Sequence, residues 1–299
     1  MRLTIATGCV VFQLLLAGYA SSQALEPRSF NNIPVGETFL LVGLGRSDGD
    51  LSPSPSSPLQ DAELTIDVGL VGVSHTFALA GSSSKVDFVA GRTCYEGSAI
   101  FMGEFAEGRR CDYTDPNLKL TWNFYGAPAM GLEEFGGWQQ GLVVGASVAA
   151  QLPWGSYSSE QLINAGANRW KVTPALGVTW RTGRWQWELK GQVSVFEEND
   201  DFFNGNTIEQ DPLYQVSGHL IRLLGKGRWV SLDANYFAGG RTDANGERQD
   251  DRQENSRLGI TFSMPFTRHQ SLKLYASRGV LTRIGNEFDT FGVGWVYRL

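Results

Sequence analysis

Residues 184–197 read RWQWELKGQVSVFE. Trp185, Trp187, Leu189, Gly191, Val193 and Val195 hold alternate positions, with Gln186, Glu188, Lys190, Gln192 and Ser194 between them. Successive side chains of a β-strand point to opposite faces, so the stretch predicts a strand with one apolar and one polar face. The pattern recurs along the chain. Leu118, Leu120, Trp122 and Phe124 alternate with Asn117, Lys119, Thr121 and Asn123; Trp170, Val172, Pro174, Leu176, Val178 and Trp180 alternate with Lys171, Thr173 and Thr179. Val230, Leu232, Ala234 and Tyr236 alternate with Ser231, Asp233 and Asn235, and Leu258, Ile260, Phe262 and Met264 with Arg257, Gly259, Thr261 and Ser263.

Two features turn the apolar face outward, toward lipid. Trp170 and Trp180 bracket one strand, and Trp185, Trp229 and Trp295 begin or end others. Such positions suit the aromatic girdles of a membrane barrel. Connection lengths also alternate. GSSSK (81–85), RTGR (181–184), GKGR (225–228) and FTRH (266–269) are tight turns. Between them lie long polar stretches at 47–60, 94–111, 154–168, 199–212 and 239–255. A spanning barrel has short periplasmic turns and long external loops. Backbone groups in lipid must pair internally, so the sheet must close.

The predicted fold is therefore all-β, a single antiparallel up-and-down transmembrane β-barrel of about 12 strands with both termini periplasmic. Strands are expected near 37–47, 62–80, 84–95, 117–126, 140–152, 169–181, 184–197, 213–224, 228–238, 256–265, 270–280 and 288–299. One periplasmic connection, 126–140, is long, and Pro128 to Phe135 is expected to form a short helix at the rim. The Ser/Pro-rich 52–58 segment sits between two strands and reads as a mobile loop, not a domain linker.

The bulk figures agree. The 299 residues include 36 Gly beside 9 Trp, 9 Tyr and 17 Phe, a pairing typical of all-β chains. A net charge of −6 without a basic stripe excludes nucleic acid as a partner. Arg2, the apolar run Cys9 to Gly18 and the small-residue site Ser22-Gln23-Ala24 read as a secretory signal over 1–24, leaving a barrel of 25–299. The alternative, an uncleaved anchor, needs a longer apolar core. Cys9 leaves with the signal. Cys94 and Cys111 remain as an even pair in an exported protein and are expected to form a disulfide, with two free thiols as the alternative.

Several stretches, taken in order, carry a resemblance: LEPRSFNNIPVGETFLLVGLGRSDGD (25–50), LINAGANRWKVTPALGV (162–178), ENDDFFNGNTIEQDPLYQ (198–215), SLDANYFAGGRT (231–242), RQENSRLGITFSMPF (252–266) and SLKLYASRGV (271–280). Together they resemble the outer-membrane transporter family named for the meta-pathway of phenol degradation. The resemblance implies a Gram-negative outer-membrane barrel with a transport role, and it carries over no catalytic or binding residue. The chain ends GVGWVYRL, an aliphatic last residue where many outer-membrane barrels carry an aromatic one.

Candidate chemistry is sparse. Ser74 and His75 are neighbours on a strand and face opposite ways. Ser217 and His219 share a face, but no orienting acid is evident beside them, and His269 lies in a tight turn. By alternation Lys119, Lys171, Glu188, Lys190, Asp233, Arg257, Lys273 and Arg298 point into the lumen, either filling it with ion pairs or lining a pore. Their mixed signs argue against strong ion selectivity. In NDDFFNGNTIEQDP (199–212), the acids need no catalytic partner, since water or headgroup cations solvate them in an external loop; the acidic loop 243–254 lacks calcium-loop ligand spacing. Phe202 and Phe203 are not explained by solvent; at least one is expected to fold over the barrel mouth as a gate.

No cofactor, metal site or catalytic residue is expected. Expected partners are outer-membrane lipid and lipopolysaccharide, a small-molecule solute, and the barrel-insertion machinery during assembly. A channel or transporter for small aromatic or hydrophobic solutes is the leading reading. A structural or adhesive barrel with a plugged lumen is the second, and a barrel enzyme the third. The signal assignment predicts that protein from the outer-membrane fraction begins at Leu25. Intact mass spectrometry checks this, and a mass that retains residues 1–24 contradicts it.

Overall fold

Lipid offers no partner to a backbone N–H or C=O, so the alternating segments have to bond one another all the way round. In the computed structural model they do. It describes residues 25–52, 59–101, 103–161 and 163–299. The expected signal and nearly all of the Ser/Pro-rich loop lie outside the described residues.

The strands in chain order are β1 Thr38–Ser52, β2 Leu59–Leu79, β3 Ser82–Phe101, β4 Glu104–Tyr113, β5 Asn117–Tyr125, β6 Leu142–Gln151, β7 Lys171–Thr182, β8 Trp185–Phe196, β9 Asn199–Phe202, β10 Asn206–Gln210, β11 Leu213–Gly225, β12 Arg228–Gly239, β13 Thr242–Ala244, β14 Glu247–Arg248, β15 Gln253–Pro265, β16 Gln270–Thr282 and β17 Gly285–Arg298. One helical turn, α1 Leu132–Phe135, lies in the long connection between β5 and β6, inside the span expected for a rim helix. Each barrel strand pairs antiparallel with its neighbour, and β1 closes the ring on β17 from Phe39↔Arg298 to Ser52↔Gly285. β4 and β5 descend in succession along β3 and together make one stave, so the barrel has twelve. Both ends of the barrel chain lie at the short-turn end.

The outward and inward faces separate as the alternation requires. Leu176 and Leu232 are more than 60% exposed, while Thr179, Ser231 and Thr261 are buried. Aromatic rings mark both edges of the apolar band. Trp180 stacks on Trp187, and Trp295 on Tyr297, near the short turns. Trp170, Tyr214 and Tyr236 stand outward near the long loops. Trp229 departs from the expected girdle. Its odd position in β12 turns it into the lumen, where it is buried.

The long connections also depart from expectation. The Cys-bracketed stretch is not a loop: β3 and β4 continue the wall as a hairpin above the lipid-facing band, with Cys94 opposite Cys111 and a disulfide joining them. Residues 199–210 and 242–248 form a separate four-stranded sheet, β14-β13-β10-β9, at the long-loop end. Phe202, Ile208 and Ala244 make its small core, with Phe203 packed alongside.

Between β4 and β5 the stave breaks at Thr114–Pro116. There the Asp115 carboxylate accepts the Gly155 N–H at 2.8 Å, the Ala167 N–H at 2.8 Å and Gln151 Nε2 at 2.9 Å. This clasp holds the β6–β7 loop down onto the mouth. Ile163 and Ala165 of the loop pack there against Leu64, Ile66, Tyr95 and Phe288. Asp115→Ala leaves those donors unpaired at a cost of about 3 kcal/mol. Amide exchange should accelerate across residues 152–170 and stay unchanged in the barrel strands; uniform exchange across both would refute a local clasp.

Candidate functional site

A barrel whose inner face is short and polar leaves space along its axis. Several lumen-facing positions are glycine: Gly43 and Gly45 in β1, Gly145 in β6, Gly177 in β7, Gly259 in β15, and Gly292 and Gly294 in β17. Tyr275 lies across Gly292 toward Gly45, its ring where a Gly292 Cβ would stand. Much of the remaining space is taken by the chain itself. Residues 25–36, ahead of β1, run into the lumen and cross it as a strap.

The strap is tied at each step. Leu25 Cδ1 would touch a Cβ placed on Gly259. Glu26 meets Lys119 at 2.8 Å and Lys190 at 3.9 Å. The Arg28 guanidinium sits 5.5 Å from the centre of the Trp229 ring, a cation–π contact. Ser29 N–H donates to Glu188 Oε1 at 3.0 Å. Phe30 is fully buried, its ring over Gly145 and Gly177. Nearer the rim, Asn32 Nδ2 donates to the Pro128 carbonyl at 3.1 Å, and Val35 N–H to the Met130 carbonyl at 2.9 Å. Thr76 Oγ1 donates to the Pro34 carbonyl at 2.7 Å, and Gly36 N–H to the Thr76 carbonyl at 2.8 Å. The long connection bearing α1 thus serves as the strap's outer anchor.

The charged side chains expected to face inward take distinct places around the strap. Lys119, Lys190 and Glu188 touch it directly. Lys273 lies in the mixed electrostatic field of Glu26, Lys85, Arg28 and Asp233. Lys85, which the sequence reading did not single out, pairs with Asp87 at 3.1 Å and adds to the positive charge around Glu26. Arg257 stands on the opposite wall, its Nη1 donating to Ser277 Oγ at 3.0 Å and Thr290 Oγ1 at 3.1 Å. Lys171 is buried above the strap, near Arg169 and Asp115. Arg298 lies at the short-turn rim with Glu37, 3.5 Å away.

His219 requires a correction. An orienting acid does stand beside it. β11 and β12 place Asp233 directly across from His219, with Nδ1 and Oδ1 2.7 Å apart and both side chains fully buried. Asp233 Oδ2 also accepts Thr261 Oγ1 at 2.7 Å and Ser231 Oγ at 3.1 Å. The nucleophile half of a serine site is not assembled, however. Ser217 Oγ accepts from Gln215 Nε2 at 3.2 Å, and among the described residues His219 Nε2 has no hydrogen-bond partner. Ser74 is buried in the lumen face while His75 is exposed on the other, its Nδ1 2.9 Å from Thr38 Oγ1. His269 stays in its turn, near the Arg298 carbonyl. Among the described residues no group of three or more His, Cys, Asp or Glu is placed to hold a metal ion.

Phe202 and Phe203 lie at the long-loop end. Phe202 is 5% exposed, and packing within the four-stranded loop sheet accounts for its burial. That sheet is knitted to the β6–β7 loop: Tyr157 Oη donates to the Asp201 carbonyl at 2.9 Å, and Asn204 N–H to the Ser159 carbonyl at 2.7 Å.

The fold is shared with solved outer-membrane barrels. An outer membrane channel from Pseudomonas putida F1 superposes with a TM-score of 0.74 at 21% identity, covering 92% of this chain and 100% of that one. The transport unit of the Escherichia coli autotransporter AIDA-I gives 0.54 at 12% identity, over 94% and 95% of the two chains. The β domain of the Bordetella autotransporter BrkA gives 0.52 at 12%, over 89% and 100%. Comparison with curated proteins gives no match. The model of the family described as "Putative MetA-pathway of phenol degradation" matches residues 99–296, two thirds of the sequence, and the chain belongs to that family of outer-membrane barrels.

Proposed function

We propose that the protein is a passive outer-membrane channel for small apolar or aromatic solutes, exported by the signal at 1–24 and working without a cofactor, and that the strap is the part that moves. The observation that supports this most is how the lumen is filled. A structural barrel fills its interior with side chains of its own wall. Here wall positions are pared to glycine at 145, 177 and 259, and the space is taken by a segment that joins the wall at its β1 end and is otherwise held by side-chain and backbone contacts. Withdrawing the inner half of the strap, residues 25–31, toward the short-turn end would unblock its part of the lumen. The β6–β7 loop and the loop sheet then set what reaches the other mouth.

Support also comes from the solved relative described as an outer membrane channel. The mixed charges left on the lumen wall suit uncharged solutes better than ions of one sign. Lipid and lipopolysaccharide would contact the outward face, and the insertion machinery the nascent barrel. An enzymatic role is disfavoured by the unassembled Ser217–His219 pair. The plugged structural barrel is the competing reading, and motion of the strap decides between them.

Glu26 is the strap's charged tether, so reversing its charge should release it. Glu26→Lys faces Lys119 and Lys190, and is expected to raise mean current in planar bilayers roughly tenfold, the change about 1.4 kcal/mol makes in a two-state population. Lys119→Glu in the same chain should restore the low current. Silence in all three forms, with no solute-driven swelling of liposomes, would remove the channel reading.

A further inference from the structure

The seat of Phe30 has the features of a ligand site. Gly145 and Gly177 are register partners on β6 and β7, both facing the lumen, and together they form a flat recess in the wall. The ring fills it so closely that a Cβ on Gly177 would stand 2.0 Å from Phe30 Cε2, and one on Gly145 2.6 Å from Cδ1. Glycine weakens a strand interior, and its use on two facing positions marks a place where something must approach the backbone.

The walls of this recess are not apolar. Asn123, 4% exposed, donates through Nδ2 to the Asn31 carbonyl at 3.1 Å. Among the described residues its Oδ1 has no hydrogen-bond partner, and it lies 2.6 Å from the same Gly145 Cβ point that the Phe30 ring approaches. A buried acceptor facing a hydrocarbon ring is a mismatch, since a polar atom that loses water without gaining a partner opposes burial. A ring of the same size bearing an O–H would supply the missing donor. Phe30 has the right shape for the recess and lacks the group that its surroundings call for.

We propose that the Gly145–Gly177 recess is a binding site for a single aromatic ring carrying a hydroxyl, which donates to Asn123 Oδ1, and that Phe30 occupies it as the chain's own competitor. The inference deepens the channel reading and rests on it for its purpose. Ring and solute exclude each other. By linkage, a solute that takes the recess favours the displaced strap to the same degree that the strap weakens solute binding. The solute would thereby open its own path.

The test uses the mature full-length protein in lipid nanodiscs, with phenol, toluene and cyclohexanol as probes. Hydrogen exchange of residues 28–34 in the wild type should accelerate roughly tenfold at saturating phenol, the shift expected when the bound form outweighs the strapped one tenfold. Toluene, which lacks the donor, should act more weakly, and cyclohexanol, which is not flat, should leave exchange unchanged. Calorimetry should find phenol binding tighter in Phe30→Ala than in wild type, and lost in Phe30→Ala/Gly177→Leu, where the recess is filled. If phenol binds Phe30→Ala yet never alters exchange of the wild-type strap, the variant has merely made a cavity and the proposal fails. Equal binding by the double variant, or equal effects of phenol and cyclohexanol, overturns it as well. None of these readouts needs solute to flow. A silent bilayer would therefore remove the channel reading without deciding the site, and a conducting barrel that binds no phenol would do the reverse.

Discussion

The pairing of the first strand with the last is the contact on which the rest depends. An open sheet in lipid would carry two rows of unpaired N–H and C=O groups, each costing several kcal/mol. The register from Phe39↔Arg298 to Ser52↔Gly285 removes both rows at once. Once the ring is closed, alternation decides everything else. The apolar face has nowhere to go but lipid, and the polar face encloses a lumen. That lumen must be filled or left wet. This molecule fills part of it with residues 25–36, and on the proposed reading that filling gives the barrel a second arrangement.

The strap's ties are unlike one another. Glu26 with Lys119 and Lys190 is electrostatic and half-accessible to lumen water, so it steers more than it holds. Burying the Phe30 ring is worth about 1.5–3 kcal/mol by area alone. The rim bonds through Asn32, Pro34, Val35 and Gly36 are near the β1 start and need not break for the inner half to withdraw. On the proposed reading such a segment would pivot at the rim, with Phe30 as its principal catch. The Asp115 clasp at the opposite mouth is a different kind of device, with three donors on one carboxylate and no ring to slide out.

The strands were legible because period-two alternation survives wherever one face meets lipid. RWQWELKGQVSVFE has Trp and Leu on one side and Glu and Lys on the other, and no helix satisfies that pattern. The same signal fails above the lipid, where successive residues of β4 from Glu104 to Arg109 are exposed on both faces, and so YEGSAIFMGEFAEGRR looked like a loop. The strap was illegible for another reason. LEPRSFNNIPVG has no period, and its partners Lys119, Gly145, Gly177 and Glu188 lie about a hundred residues or more downstream. The lumen-facing glycines were visible, and asking what covers them was the available clue. Asp233 was missed through register. Counting back from the Gly225–Arg228 turn pairs His219 with Ala234, but a shift between Leu223 and Gly225 moves the partner by one, to Asp233.

The break at Thr114–Pro116 has one more consequence. β5 joins β3 below it to complete the ring, whereas β4 above it pairs with β3 alone. The projecting hairpin is therefore outside the closure arithmetic that ties strand number, tilt and shear together. It can lengthen or shorten two residues at a time without changing the barrel's bore or flipping any side chain inside it. A part of the wall that projects beyond the closed ring is thus the part whose length the membrane constrains least.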